Sequence, residues 1–136
     1  MKITVDANIL FSALLRNGAT RQLWFYSEIE SYSQEYLLVE FEKYKPYLRN
    51  KFTGTTEEFE SFLKKLVSQI RLVKGAELKP FLPAAMSLIA DEKDWLYLAC
   101  ALKEDTIIWS NDKEFKKQRR IKVKTTAEML EYAGFL

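Results

Sequence analysis

Apolar and polar positions along this chain alternate between short β-branched runs and longer stretches of helical period. Lys2-Ile-Thr-Val5 alternates and is β-branched, which predicts a buried strand. Ala7 to Leu15 then reads as an apolar helix, with Asn17-Gly18 as its stop. Thr20 to Ile29 carries Leu23, Trp24 and Ile29 and predicts a second helix, and Ser31 to Ser33 a short strand. Glu35 to Leu48 has helical period, with Tyr36, Leu37, Phe41, Tyr44 and Leu48 on one face and Pro46 as a kink or break. After a turn at Thr53-Gly-Thr-Thr56, residues Phe59, Phe62, Leu63, Leu66 and Ile70 predict an amphipathic helix over 56–69, capped by Thr55 or Thr56. Arg71-Leu-Val73 reads equally as the end of that helix or the start of a strand.

Pro80 and Pro83 bracket a predicted loop, followed by a short helix through Met86 and Ile89. Asp91 to Lys103 is the most apolar helix, and Thr106-Ile-Ile-Trp109 a buried strand. Ser110-Asn-Asp112 makes a turn, Lys113 to Gln118 a short basic helix, and Ile121-Lys-Val-Lys124 a strand with one exposed face. Thr125 to Ala133 is the last helix, with Glu128 placed for a capping box. Strands alternating with helices imply a parallel sheet covered on both faces. The expected fold is α/β, a three-layer α/β/α sandwich, in one domain over residues 1–136.

Composition removes several function classes. Hydrophobic residues make up 48% and aromatic residues 14%, which excludes a disordered or fibrous chain. No apolar run reaches the length of a membrane span, and the start lacks a basic leader with a cleavage site, so a soluble cytoplasmic protein with no membrane partner is expected. The single cysteine, Cys100, lies in an apolar run and reads as a small core residue. There is no histidine, which eliminates Ser-His-Asp and Cys-His nucleophilic catalysis and His-ligated zinc. Net charge is only +2, but lysines and arginines gather at 113–124 and again at 43–51.

Carboxylates are the chemistry that remains. Taken singly, Asp6, Asp91, Asp94 and Asp112 each have a structural explanation as helix caps. Together they say more. Asp6 and Asp112 both stand just past strands apolar on both faces, and in a parallel sheet such strand ends share one edge, where ligands bind. Asp94 opens a helix apolar enough to pack deep against the sheet; Asp91, one turn earlier, is the better cap. Glu40 borders the apolar stripe of its helix, whereas Glu42 points to water. Convergent carboxylates ionise together only when a cation neutralises them. An all-oxygen ligand set without histidine selects Mg²⁺ or Mn²⁺, and such ions suit phosphodiester hydrolysis.

Val5-Asp-Ala-Asn-Ile-Leu10, Glu40 in an early helix, Asp94-Trp-Leu-Tyr-Leu-Ala99 and Ser110-Asn-Asp-Lys-Glu-Phe115 resemble the ordered motifs of PIN domains. These are metal-dependent ribonucleases that include the VapC-like toxins of type II toxin–antitoxin systems. The resemblance implies a central, mostly parallel five-stranded sheet with acidic metal ligands at its carboxyl edge. By motif, Asp6, Glu40, Asp94 and Asp112 become the metal ligands, and Asn8 and Ser110 supporting or substrate-orienting groups. Asn111 departs from the glycine common at that position; asparagine tolerates the left-handed turn a glycine would make. The implied reaction is cleavage of single-stranded RNA leaving a 5′-phosphate, with an antitoxin protein and a homodimer as implied partners. Lys43, Lys45, Lys113, Lys116 and Lys117 are the candidate contacts to the RNA backbone.

Two other readings were open on sequence. A haloacid-dehalogenase-type phosphatase needs a second aspartate two residues after Asp6, where Asn8 stands, and a receiver domain needs an aspartate and a lysine after later strands that have no match. The nearer alternative is a catalytically silent PIN scaffold that binds RNA or a protein partner.

Overall fold

A computed structural model describes residues 1–135. Its centre is one five-stranded sheet in the order β3-β2-β1-β4-β5, with every neighbouring pair parallel. The strands are β1 (Lys2–Val5), β2 (Glu30–Gln34), β3 (Ile70–Val73), β4 (Ile107–Trp109) and β5 (Val123–Lys124). Ile3, Thr4 and Val5 are fully buried, as a middle strand covered on both faces requires.

The connections run first one way and then back. From β1 the chain passes through α1 (Ala7–Leu15) and α2 (Ala19–Trp24) to β2, then through α3 (Leu37–Lys51) and α4 (Thr56–Val67) to β3 at one edge. It returns through α5 (Gly75–Leu78), α6 (Leu82–Leu88) and α7 (Trp95–Glu104) to β4, on the other side of β1. Helix α8 (Thr126–Tyr132) follows β5. Helix α1 packs on α2, α3 and α4, and α2 on α8, making one layer. Helix α7 crosses β1, β2 and β4 beneath α5 and α6, making the other. The three-layer expectation holds, and the sheet is wholly rather than mostly parallel.

Local differences from the sequence reading have physical causes. The second helix ends at Trp24 rather than Ile29, because the chain must turn to enter β2 alongside β1. That turn is held by Met1, whose amino group donates to the Glu28 carbonyl (3.0 Å) and whose carbonyl accepts from the Glu30 amide (2.8 Å). Pro80 and Pro83 do not bracket a loop. Each stands in the opening of a helical segment, where a missing N–H costs no bond. Pro46 lies inside α3 without ending it; it faces solvent, so water reaches the carbonyl its ring leaves without a partner. Arg71–Val73 belongs to a strand, and Lys113–Lys117 forms a 3₁₀ turn. Thr55 with Glu58 and Thr125 with Glu128 form the two capping boxes. Cys100 is buried, as expected, with Thr4 Oγ1 3.6 Å from its sulfur.

Candidate active site

Strand order reverses at β1, and the crevice above such a reversal is where an open parallel sheet receives ligands. Val5 pairs with Trp109, so the residues that follow, Asp6 and Ser110, emerge side by side. The Ser110 hydroxyl donates to Asp6 Oδ2, while the Asp112 amide donates to Ser110 Oγ (3.0 Å). Three residues on two adjacent strand ends are thereby tied together. Ser33, on the opposite neighbour of β1, donates to the Val5 carbonyl at 2.7 Å and fixes that strand end from the other side.

The capping and site readings coexist in the aspartates. Asp6 Oδ1 accepts from the Ile9 amide (3.1 Å) and starts α1, leaving Oδ2 for Ser110. Asp112 Oδ1 caps the following 3₁₀ turn through the Glu114 amide (3.0 Å). Asp91 is a cap, accepting from the Lys93 amide (3.2 Å). Asp94 is different. It precedes α7 but makes no capping bond, and its Oδ2 is the one buried side-chain oxygen without a hydrogen-bond partner among the described residues. An orphaned carboxylate oxygen at 4% exposure is expensive, so capping does not explain it.

Asp6, Glu40, Asp94 and Asp112 all line one cavity of about 580 Å³, together with Asn8, Lys43, Lys93 and Tyr97. Burial pushes the Asp6 carboxyl up from 3.8 to about 6; Ser110 and Ile9 pull it back, and the charges of Asp112 and Glu40 add to the rise. Burial also pushes Asp94 up to about 6, helped by the charges of Asp91, Asp112 and Asp6. Glu40 is raised by burial, against the Tyr97 hydrogen bond and the charges of Lys43 and Lys93. Asp6 and Asp94 feel the charges of other acids across the cavity.

A family model described as PIN domain matches residues 4–133. The chain belongs to the PIN domain family. Solved structures of the same fold include VapBC2 from Rickettsia felis bound to a DNA fragment from its promoter, at 16% identity and TM-score 0.67, covering 92% of this chain and 98% of that one. VapBC-1 from nontypeable Haemophilus influenzae is similar at 12% identity and TM-score 0.64, covering 93% of this chain and 99% of that one. A search of curated proteins found no match. Membership supports a nuclease in general terms.

The PIN domain's donor set suits a hard divalent cation: all oxygen, with one buried oxygen unpaired and two carboxyls held near 6. As placed, however, no three Asp, Glu or Cys side chains among the described residues form a group that could hold a metal ion. The acids surround the cavity without being gathered to one point.

Tyr97 and Lys93 are among the cavity residues that sequence reasoning missed. Tyr97, one turn after Asp94, is buried and donates its hydroxyl to Glu40 Oε1 at 3.2 Å; burial pushes that hydroxyl's pKa well above its ordinary value. Lys93 lines the mouth. The spacing of three from Asp94 was the available signal for Tyr97, but a tyrosine in an apolar helix reads as core. Of the five lysines proposed for RNA, Lys43 lines the cavity. Lys45 pairs with Glu60 (3.1 Å) on another face, Lys116 pairs with Glu128 and Lys117 with Glu114 (2.9 Å), and Lys113 is exposed.

Proposed function

We propose that this PIN domain is a Mg²⁺- or Mn²⁺-dependent endoribonuclease that hydrolyses phosphodiester bonds of single-stranded RNA. The observation that carries the reading is the convergence of Asp6, Glu40, Asp94 and Asp112 on one cavity in which Asp94 Oδ2 is buried and unpaired. Asp6, Asp94 and Asp112 would hold the ion, with Glu40 binding a second one or orienting the attacking water. When bound, the cation lowers the pKa of water and offsets charge on the leaving oxygen. Ser110 holds Asp6 through Oδ2, and Tyr97 holds Glu40 through Oε1; both acids line the cavity. Asn8, exposed on the first turn of α1, lines the same cavity and would orient the phosphate. Water adds to phosphorus as the bond to O3′ breaks, giving a 5′-phosphate and a 3′-hydroxyl.

An antitoxin partner is proposed on the motif resemblance to VapC-like toxins and on the fold shared with two VapBC structures. Among the described residues no helix is long and apolar enough to cross a membrane. The test is cleavage of a fluorescent single-stranded RNA with Mn²⁺, with chelator, and by the Asp6→Asn variant. Metal-dependent cleavage that disappears in the variant supports the proposal, and an unchanged rate in the variant removes Asp6 from the mechanism.

One observation favours a second reading, a PIN scaffold that binds RNA or a partner without cutting: no three acids are gathered as a metal-ready group. Calorimetric titration with Mn²⁺ decides between the two. Tight binding with cleavage supports the nuclease; binding of RNA with neither metal uptake nor cleavage supports the scaffold.

A further inference from the structure

Helix α3 carries more to the cavity than Glu40. Lys43, Tyr44 and Tyr47 line it too, at spacings of three, four and seven from Glu40, which places all four on one face of the helix. The rise of 1.5 Å per residue puts the two tyrosines about 6 and about 10 Å along the axis from the carboxylate. Both rings are large, and both are open to solvent, at 50% and 59% exposure. Neither is loose. Phe11, another cavity residue, packs against Tyr44 with ring centroids 5.6 Å apart, and the Lys51 ammonium stands 5.7 Å from the Tyr47 ring centroid.

We propose that Tyr44 and Tyr47 form a base-stacking subsite for a single-stranded nucleic acid whose backbone enters the acidic cavity. The inference rests on the nuclease reading for its substrate class. The occupant follows from the surroundings. A protein partner's apolar side chain would gain area on these rings but no match for Lys43 and Lys51 beside them. A nucleotide offers both a π-face for the rings and a phosphate for the lysines. Continuity with the cavity gives direction: a strand lying along α3 stacks its bases on the tyrosines and delivers the adjoining phosphate toward Glu40. A duplex, with its bases already stacked on one another, gains nothing from this face.

The experiment uses the Asp6→Asn variant as parent, and measures fluorescence anisotropy of labelled oligouridine and of an RNA duplex in Mg²⁺. Tyr44→Ala with Tyr47→Ala in that parent should weaken oligouridine binding about 5- to 150-fold per stacked base, from ~1–3 kcal/mol of stacking at tenfold per ~1.4 kcal/mol. Duplex binding should not change, and Tyr44→Phe with Tyr47→Phe should restore the parent's affinity. Circular dichroism establishes that the exposed substitutions leave the fold intact. Equal oligouridine affinity in the alanine variant overturns the subsite, as does restoration by leucine at both positions, which would mean apolar area without stacking. Absence of oligouridine binding in the parent also overturns it. Size-exclusion chromatography adds one further outcome: a parent that dimerises and an alanine variant that does not would make the tyrosines an interface between two copies. Wild-type cleavage is measured separately. Cleavage with indifferent tyrosines sinks only the subsite, and tyrosine-dependent binding without cleavage sinks only the nuclease.

Discussion

Asp94 is held where its own hydrogen bonding gives it no reason to be, since one carboxylate oxygen is buried with no donor. Replacing it with Asn removes the charge at nearly constant shape. In chelator at pH 7, Asp94→Asn should therefore melt at a higher temperature than the wild type, by about 2–4 °C for each kcal/mol recovered. The same variant should lose Mn²⁺ uptake in calorimetry; a variant that melts lower and still binds Mn²⁺ would overturn the assignment. Asp6 and Asp94 also set a pH dependence. Both carboxyls are raised to about 6 from 3.8, so the folded chain holds their protons more tightly than the unfolded one. Their contribution to metal-free stability is fully present below about 3.8 and is lost as pH rises through about 6, at up to ~1.4 kcal/mol per pH unit for Asp6. Thermal melts of the metal-free Asp6→Asn variant and wild type at pH 5 and pH 7 check this: the gap in stability should widen in favour of the variant at pH 7. Mn²⁺ affinity should move oppositely, weakening below pH 6 as protons compete for the same oxygens.

At the scale of elements, the turn after β4 does two tasks. Asp112 lines the cavity and Ser110 holds Asp6, while Asn111 faces α8: its Oδ1 accepts from the Thr126 amide (2.8 Å) and its Nδ2 donates to Thr126 Oγ1 (3.1 Å). Trp109 donates to the same Thr126 hydroxyl at 3.0 Å. The only non-glycine residue with positive φ among the described residues is Asp105, so Asn111 is not standing in for a left-handed glycine. Installing the family's glycine there should cost about 1–2 kcal/mol through two lost bonds at a helix start, measurable as a lower urea midpoint with RNA cleavage unchanged. The sequence reading anticipated tolerance at Asn111 but not this clamp, because a contact between residues 111 and 126 has no local signature. The strands were legible for the opposite reason. Ile3 to Val5 and Ile107 to Trp109 carry β-branched or aromatic side chains on both faces, a property each run displays by itself. Helix ends were read less well: α2 stops at Trp24 because the chain turns there toward β2, a turn held by Met1 through Glu28 and Glu30, not because of anything in its own period.

Taken as a whole, the molecule separates its charges. Acidic oxygens occupy the cavity, Lys43 and Lys93 its mouth, and in the basic segment after β4 Lys116 pairs with Glu128 and Lys117 with Glu114. Single-stranded RNA should be bound there with a shallow salt dependence, a log–log slope of about −2.1 for three phosphate contacts, at Lys43, Lys51 and Lys93. Lys43→Ala should reduce that slope by about 0.7, while Lys116→Ala with Lys117→Ala should leave it unchanged; the reverse ranking in a salt titration would move the RNA track to the other face. The candidate acids were recognisable one at a time, from strand ends and motif order. Their meeting was an inference from sheet logic, and Tyr97 escaped it because only the packed structure brings that hydroxyl to Glu40.

The order in which the sheet is strung also has a temporal side. The middle strand is made first, yet its neighbour β4 lies beyond residue 106, and Asp6 meets Ser110 across 104 residues of chain. At ribosomal speeds of roughly 5–20 residues per second, that interval lasts on the order of 5–20 s. Throughout it the first acid is already present and the last is not. A nascent or prematurely ended chain that lacks Asp112 thus carries an incomplete cavity, and under the proposed nuclease reading it would be inert until that residue had been added.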